Sequence, residues 1–277
     1  GIFYARYYIS NTGVKIIKVN KNDQREIQLE SGKWLQTIFN KMNILLLEHE
    51  QINNSLATVS GEKAWHISNI LKLKVGDSLR VGIINGKIGK GEILNIEEDE
   101  VKLLIQCDTL PPDAIDITII LAMPRPKALR RILKTIASLG IKQIYLINCF
   151  KVEKSYWQTP LLSDTNVRQA FIQGLEQSKD SIMPQINIRK LFKPFIEDEL
   201  PMLAHKNLKL LAHPEGGVPC PTHITQPMTL AFGPEGGFTK FEISQFINED
   251  FNQIHLGERI LNIETAIPFT IGKLSRF

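Results

Sequence analysis

The sequence predicts an α/β protein in which a small β domain precedes a larger domain built on a parallel sheet. From residue 115 onwards, strand-like apolar runs alternate with helix-like stretches, a pattern typical of a parallel sheet with helices on both faces. Between residues 42 and 110, short apolar runs are separated by turn signals, which favours a small barrel. Near the C-terminus, the turn Gly233–Gly237 separates a strand-like run from a capped helix, as ligand loops do at the carboxyl ends of strands.

The composition of the chain allows two ordinary domains and favours one cellular compartment. The chain has 277 residues, of which 43% are hydrophobic, so it can bury two cores. No apolar run approaches the length of a membrane span, and the start of the chain lacks the pattern of a secretory signal. Cys107, Cys149 and Cys220 are far apart and odd in number, so they predict no disulfide framework. We expect a cytoplasmic protein without a membrane partner.

The formal net charge of +4 comes from residues 1–41, which hold seven basic and three acidic side chains. The rest of the chain has 33 − 7 = 26 basic and 29 − 3 = 26 acidic residues, so an argument for nucleic-acid binding depends on local clusters. Residues 1–41 show no sustained periodicity, and we expect an extension with little fold of its own. A strand that docks on the next domain is the alternative.

The β domain is predicted over residues 42–110. A short helical turn is expected over residues 66–73, and Asn85-Gly86 between two strand-like runs is a strong hairpin signal. Pro111-Pro112-Asp113 predicts the linker to the next domain, because proline disfavours helix in the residue before it. The predicted strands cover residues 43–47, 78–84, 87–96 and 101–106.

The α/β domain is predicted over residues 111–277. Its first helix, over residues 126–139, carries Leu129, Ile132 and Ile136 on one apolar face and ends at Gly140. The other predicted elements are helices over residues 166–178 and 194–205 and strands over residues 115–123, 143–148, 185–188 and 208–212.

Two motifs with the same order of strand, glycine turn and helix lie at the C-terminal end of this domain. In the first, Leu230–Phe232 leads into the glycine-rich turn, and Thr239 with Glu242 forms a capping box that begins a helix. The second, Gln253–Ala266, again runs from a strand through a glycine turn into a helix. The two motifs together resemble the bacterial family that methylates N3 of a uridine in 16S ribosomal RNA, which belongs to the SPOUT class of methyltransferases.

The resemblance covers about residues 42–277 and implies a fold, a cofactor and partners. It implies a SPOUT-type parallel α/β domain with a trefoil-knotted site for S-adenosyl-L-methionine (SAM) and a PUA-like β-barrel that binds RNA. It also implies 16S rRNA or the small ribosomal subunit as substrate, and a homodimer. Glu176-Gln177-Ser178-Lys179 and Leu210–Pro214 match further family segments.

The sequence departs from the family at three points, and a non-catalytic RNA-binding protein that keeps the fold is the alternative if Ser138 and the shortened end disable the site. Ser138 stands where the family has glutamate, and Lys179 stands where it has arginine. The chain also stops only eleven residues after Ala266. A nucleotide-binding oxidoreductase built on the glycine turns is a third hypothesis, which binding of NAD instead of SAM would support.

The resemblance implies that three loops bind SAM mainly through their backbone groups. The alternative is that these loops are ordinary strand–helix turns. The expected cofactor residues are Leu211, Ala212, His213 and Pro214 in the first loop, Phe232, Gly233, Pro234, Glu235, Gly236 and Gly237 in the second, and Leu256, Gly257, Arg259, Ile260 and Leu261 in the third.

Methylation of uridine N3 requires the loss of its proton and the stabilisation of negative charge on the ring oxygens. Arg259 is the first candidate to stabilise that charge, because arginine stays protonated and donates hydrogen bonds. Glu235 or Glu264 would accept the proton if burial raised its pKa. A structural ion pair of Arg259 with Glu235, Glu258 or Glu264 is the alternative.

A basic cluster is the candidate RNA contact. No acidic residue occurs from Ile117 to Val152, and Lys127, Arg130 and Lys134 share one face of the helix predicted over residues 126–139. With Arg125 they predict a phosphate-binding strip, although a solvated helix face is the alternative. In the PUA-like segment, Lys72 and Arg80 are further candidates. No metal site is predicted, since His213, Cys220 and His223 lack a fourth ligand and regular spacing.

Overall fold

The structure, a computed structural model, describes residues 43–275 and two short strands before them. Strands β1 (Ile27–Gln28) and β2 (Trp34–Leu35) pair antiparallel and belong to a separate N-terminal unit, residues 1–41. Apart from these two strands, the prediction of little fold in residues 1–41 lies outside the described residues. The second unit, residues 42–277, contains all the elements described below.

The first part of the second unit is a curled six-stranded sheet with strand order β3-β6-β7-β8-β5-β4. β3 and β6 are parallel, and the other neighbours are antiparallel. Asn85 has a φ of 58° in the tight turn between β6 and β7, so the hairpin predicted from Asn-Gly is confirmed. The strands are β3 (Leu45–Leu47), β4 (Ile52–Asn53), β5 (Leu56–Ser60), β6 (Ser78–Ile83), β7 (Ile88–Ile96) and β8 (Glu100–Thr109).

Between β5 and β6, helix α1 (Glu62–Trp65) continues into one wider helical turn over His66–Ile70. The expected turn over residues 66–73 therefore begins four residues earlier. Strands β4 and β5 were not predicted, because their apolar residues are few and β5 alternates exposed and buried positions over only five residues.

The second part is a seven-stranded sheet, parallel throughout, with strand order β11-β10-β9-β14-β12-β15-β13. This confirms the parallel α/β domain, since each strand of such a sheet needs a crossover connection to reach the next. The strands are β9 (Ile115–Ala122), β10 (Ile141–Ile147), β11 (Gln185–Arg189), β12 (Leu208–Ala212), β13 (Val218–Pro219), β14 (Met228–Phe232) and β15 (Asn252–His255).

The helices that cover the sheet follow the apolar periodicity of the sequence. Leu129, Ile132 and Ile136 of the first long helix are buried, as their spacing predicts, and Gly140 with a φ of 80° follows the end of that helix. The helix expected over residues 194–205 is three short segments, the middle one a wider turn over Phe195–Glu199. The helices are α2 (Pro126–Ser138), α3 (Asp164–Ser178), α4 (Phe192–Pro194), α5 (Leu200–Leu203), α6 (Lys240–Asn248) and α7 (Ile263–Leu274).

The last helix is tied to the segment that precedes β14. The backbone N–H of Ile224 donates to the carbonyl of Leu274 at 2.7 Å, and that of His223 donates to the carbonyl of Lys273 at 3.3 Å. The end of α7 therefore lies against the chain between β13 and β14. The trefoil knot itself stays a prediction from the family resemblance.

The two sheets share one interface. Ile44, Leu46 and Ile84 of the curled sheet belong to the hydrophobic core of the α/β part. Lys63 lies 3.3 Å from Glu176, so the segment Glu176–Lys179 contacts the β part. Across the described residues, no helix has both the length and the apolar character needed to cross a membrane.

Candidate cofactor and RNA site

Three parallel strands end side by side at one edge of the sheet. In the strand register, Ala212 at the end of β12 is the partner of Phe232 in β14 and of Ile254 in β15. The backbone N–H of His213 donates to the carbonyl of Ile254 at 3.0 Å. The three loops predicted from sequence therefore begin next to each other.

The first and second loops meet at His213. A Cβ atom on Gly237 would lie 3.7 Å from Nε2 of His213, and Gly237 has a φ of 69°. The Nδ1 atom of the same ring lies 3.1 Å from the backbone nitrogen of Glu215. Leu211 is buried, while Pro214 is exposed, so this loop presents mainly residues 212–214.

The second loop is held by two contacts from other loops. Oε1 of Glu235 accepts a hydrogen bond from the backbone N–H of Arg125 at 2.9 Å. Since Arg125 is the residue before α2, the carboxylate lies at the positive end of that helix. Nζ of Lys151 donates to the carbonyl of Gly236 at 2.7 Å. Phe232 and Pro234 are buried, so the loop exposes mainly its middle residues, 235 and 236.

The space beside Gly233 is filled by a neighbouring side chain. A Cβ atom at Gly233 would lie 3.1 Å from Cδ2 and 3.2 Å from the backbone nitrogen of Phe238. Phe238 is only 3% exposed, so the missing side chain makes room for a core aromatic ring. Any contact of Gly233 with a cofactor is therefore limited to its backbone.

The third loop is the most exposed of the three. Gly257 has a φ of 122°, which side chains of L-amino acids rarely adopt, and a Cβ atom there would have no neighbour within 4 Å. Gly257 through Ile260 are exposed, whereas Leu256 packs against the core and Leu261 is half-buried. Because this backbone is exposed and carries no side chain at Gly257, a ligand can approach it closely.

Arg259 makes no hydrogen bond or ion pair with any residue in the described part of the chain. Two of its proposed partners are engaged elsewhere: Glu235 with Arg125, and Glu264 with Arg131, whose Nη1 lies 3.2 Å from Oε2 of Glu264. The structural ion pair proposed for Arg259 is therefore absent from the described residues. Glu235 is exposed and the Glu264 side chain is 31% exposed, so this chain alone does not provide the burial that a proton acceptor was expected to have.

Glu242 joins two loops of the site in a way that the sequence did not reveal. It is 3% exposed, and its Oε2 accepts from the backbone N–H of Thr239 at 2.7 Å and from the hydroxyl at 2.9 Å. This confirms the capping box. Its Oε1 accepts from the backbone N–H of Phe150 at 2.7 Å, so the loop after β10 is fixed to the start of α6.

Cys149 is buried beside the same carboxylate. Burial, and then the charge of Glu242 and a hydrogen bond to it, raise the pKa of the Cys149 thiol far above its ordinary value. The thiol is therefore protonated at neutral pH, which excludes it as a nucleophile.

The predicted basic strip begins at the site. Lys127 and Arg130 are exposed and Lys134 is half-buried, on the face of α2 away from the core. A hydrogen bond to Tyr156 is the main cause that raises the pKa of the Arg125 guanidinium, so that side chain contacts the loop after β10. Lys72 and Arg80 are exposed on the β part. Their role in RNA binding stays a prediction.

Two surface cavities of the described chain lie away from the three loops. A surface cavity of about 280 Å³ lies where β12 and β15 begin, at the opposite edge of the sheet, and another of about 640 Å³ lies on the β part. Among residues 43–275, no three His, Cys, Asp or Glu side chains are grouped as metal ligands. The candidate site is thus a set of exposed loops on the chain surface.

Comparison with known families defines the class of protein. The chain belongs to the RNA methyltransferase family, because the family model described as RNA methyltransferase domain matches residues 111–275. A second model, described as RNA methyltransferase PUA domain, matches residues 59–106. The two matches fall on the parallel sheet and on the curled sheet, respectively.

Curated relatives of this chain are named as ribosomal RNA small subunit methyltransferases E. Ribosomal RNA small subunit methyltransferase E of Treponema pallidum is 29% identical over 235 residues, which cover 81% of this chain and 87% of that protein. Ribosomal RNA small subunit methyltransferase E 1 of Borreliella burgdorferi is 27% identical over 236 residues, which cover 81% and 94%, respectively.

Solved structures show the same fold. Ribosomal RNA small subunit methyltransferase E from Neisseria gonorrhoeae, bound to SAM, aligns with a TM-score of 0.62 at 21% identity, over 81% of this chain and 93% of that one. A Legionella pneumophila protein solved with SAM aligns with a TM-score of 0.65 at 20% identity, over 83% and 96%, respectively.

Proposed function

We propose that this chain transfers a methyl group from SAM to N3 of a uridine in 16S ribosomal RNA. The observation that carries the proposal is the meeting of the three predicted loops at one sheet edge. Arg259 in the third loop has no partner among residues 43–275. Membership of the RNA methyltransferase family supports it, as do relatives named for the small-subunit rRNA and neighbours solved with SAM.

The residues at the three loops fit SAM as cofactor. The exposed residues Gly257, 235 and 236 would bind SAM through their backbone N–H and carbonyl groups. Residues 212–214 of the first loop would contact SAM from the remaining side. When bound, SAM supplies an electrophilic methyl group next to a positive charge. The exposed state of the loops also leaves room for a second copy of the chain, so a homodimer is part of the proposal.

Arg259 would act on the substrate base. Its guanidinium donates to no described residue, so its N–H groups would stabilise negative charge on the uracil oxygens as the N3 proton is lost. Glu264 is the better candidate for the proton acceptor, because it is half-buried whereas Glu235 is exposed. Each carboxylate has one oxygen engaged, that of Glu264 with Arg131 and that of Glu235 with the backbone of Arg125. A partner subunit or bound RNA over the loops would supply the burial that raises the pKa of such a carboxyl.

The departure at Ser138 lies far from this site, which favours an enzyme over a non-catalytic relative. Ser138 is the last residue of α2, and its hydroxyl donates to the carbonyl of Thr135 at 2.8 Å. The start of α2 contacts Glu235, and a helix of 13 residues spans about 20 Å. The end of α7 is held by backbone hydrogen bonds from residues 223 and 224.

The proposal includes a division of labour and a location. Residues 42–110 would grip RNA as a PUA-like domain, with Lys72 and Arg80 among the contacts, and residues 111–277 would carry the chemistry. Arg125, Lys127, Arg130 and Lys134 would hold phosphates near the loops. A cytoplasmic enzyme that acts on rRNA or on the small subunit is expected.

Methyl transfer to ribosomal particles tests the proposal. The chain is incubated with labelled SAM and small subunits that lack the modification, and the rRNA is digested to nucleosides. The expected product is N3-methyluridine. Calorimetric binding of NAD with no binding of SAM, or SAM binding without any labelled RNA, would contradict the proposal.

A further inference from the structure

The loop after β10 presents aromatic side chains at the rim of the candidate site. We call residues 150–158 the aromatic loop, because it contains Phe150, Tyr156 and Trp157. Phe150 is 85% exposed, while Tyr156 and Trp157 are half-buried. A single exposed aromatic residue is ordinary on a protein surface, so the argument depends on how this one is held and on what surrounds it.

Phe150 is held in place by the buried part of the site. Its backbone N–H donates to Glu242 at 2.7 Å, and the neighbouring Lys151 donates to the carbonyl of Gly236 at 2.7 Å. The exposed ring therefore stands on backbone that is fixed to the second cofactor loop. A ring presented in this way loses little conformational entropy when it binds a flat partner.

The rest of the aromatic loop is fixed in the same way. Nε1 of Trp157 donates to Oδ1 of Asn148 at 2.9 Å, and the ammonium of Lys190 lies 5.7 Å from the centre of the indole ring. Tyr156 contacts the guanidinium of Arg125 and donates to Glu153 at 3.1 Å. The loop thus links the residues before α2 with the carboxyl ends of β10 and β11.

The charges around the loop suit a polyanion. Four exposed basic side chains lie on the aromatic loop or on residues that it contacts, against two exposed acidic ones, Glu153 and Glu235. The basic residues are Arg125, Lys151, Lys154 and Lys190. Aromatic rings among basic side chains are the combination that binds single-stranded nucleic acid, because each base offers a flat face and each nucleotide a phosphate.

We infer that the aromatic loop binds an unpaired nucleotide next to the methylated one, with Phe150 stacked on its base. The inference rests on the proposed function, since the loop borders the site where the target base would enter. Removal of one stacking side chain weakens single-strand binding by about 5- to 140-fold. The charge of the surface is unchanged by that removal, so the salt dependence of binding stays the same.

Equilibrium binding to a short oligouridylate and to an RNA duplex of equal length tests the inference in the full chain. Phe150→Ala is expected to lose about 5- to 140-fold in affinity for the oligouridylate, with the same salt slope and little change for the duplex. Phe150→Trp should retain the affinity. Met202→Ala, which removes another highly exposed apolar side chain (84%) on α5, should match the parent.

The outcomes separate this inference from the proposed function. Unchanged oligouridylate affinity in Phe150→Ala overturns the inference, and if the parent still methylates rRNA, the proposed function stands alone. Binding of the oligouridylate that depends on Phe150, without methyl transfer by the parent, supports stacking by the aromatic loop and overturns the proposed function. A fall in mass by light scattering in Phe150→Ala, with RNA affinity retained, would mean that the ring packs against a second copy of this chain and would also overturn the inference.

Discussion

Glu242 is the residue whose removal should affect both stability and the site. Its carboxylate accepts three short hydrogen bonds, from the backbone N–H groups of Phe150 and Thr239 and from the Thr239 hydroxyl. Hydrogen bonds to a charged group contribute about 1.5–3 kcal/mol each, and a lost helix cap costs about 0.5–2 kcal/mol. These contributions overlap, because two of the three bonds belong to the cap. We therefore expect Glu242→Ala to lower the free energy of unfolding by about 3–5 kcal/mol, a large part of the roughly 5–15 kcal/mol typical of a native protein.

Urea unfolding of the parent, Glu242→Ala, Glu242→Gln and Glu249→Ala measures this loss. The glutamine variant should fall between parent and alanine, because its amide group would place a donor against one of the backbone N–H groups. Glu249 follows the same helix and its side chain has no hydrogen bond among the described residues, so its removal should change stability by less than about 0.5 kcal/mol. SAM affinity should fall in Glu242→Ala, since the loops after β10 and β14 lose their common anchor. A loss of stability in Glu242→Ala no larger than that of the control would refute the reasoning.

Four further predictions follow from single residues. Arg259→Ala should keep its SAM affinity in calorimetry and lose about 10²- to 10³-fold in turnover, and equal losses in both would favour a structural role. Gly257→Ala should weaken SAM binding, because a side chain at this position would strain the backbone of the third loop by about 1–3 kcal/mol. Gly233→Ala, in contrast, should lower the free energy of unfolding and largely keep the affinity for SAM. Cys149 should resist alkylation at neutral pH until the chain unfolds, because burial raises the pKa of its thiol, and rapid labelling of the native protein would contradict this. Burial also raises the pKa of Glu176, so the native chain holds that proton more tightly than the unfolded chain does. The free energy of unfolding should therefore fall as pH rises above the ordinary value of 4.5. Urea unfolding at several pH values should show a flatter pH dependence in Glu176→Gln.

The contact between Glu176 and Lys63 also bears on the domain organisation. Residues 176–179 match a family segment, and Glu176 lies at the interface with the curled sheet. Ile44, Leu46 and Ile84 continue the core of the α/β part across that interface. Removal of the β part would therefore uncover apolar surface, so point variants of Lys72 and Arg80 are the cleaner test of its role in RNA binding.

Local sequence patterns correctly predicted those features whose physical cause lies within a few residues of chain. The capping box of Thr239 and Glu242 joins residues three apart, and the buried face of α2 follows from apolar side chains three and four apart. The hairpin at Asn85 needs only two residues that tolerate a left-handed backbone. The order of strands and helices in the α/β part could be read in the same way, except for the two-residue strand β13, which was not predicted.

Only the tertiary structure could decide which distant residues meet. Phe150 and Glu242 are 92 residues apart and Arg125 and Glu235 are 110 apart, and they touch because β10, β9 and β14 are neighbours in the sheet. Strand order depends on how crossover connections pack, and side-chain periodicity carries no record of it. The same holds for Gly233, whose sequence context predicts a ligand turn although its missing side chain makes room for Phe238. The sequence predicted the three loops, and the order of the strands determined that these loops begin side by side and that Phe150 is fixed beside the second of them.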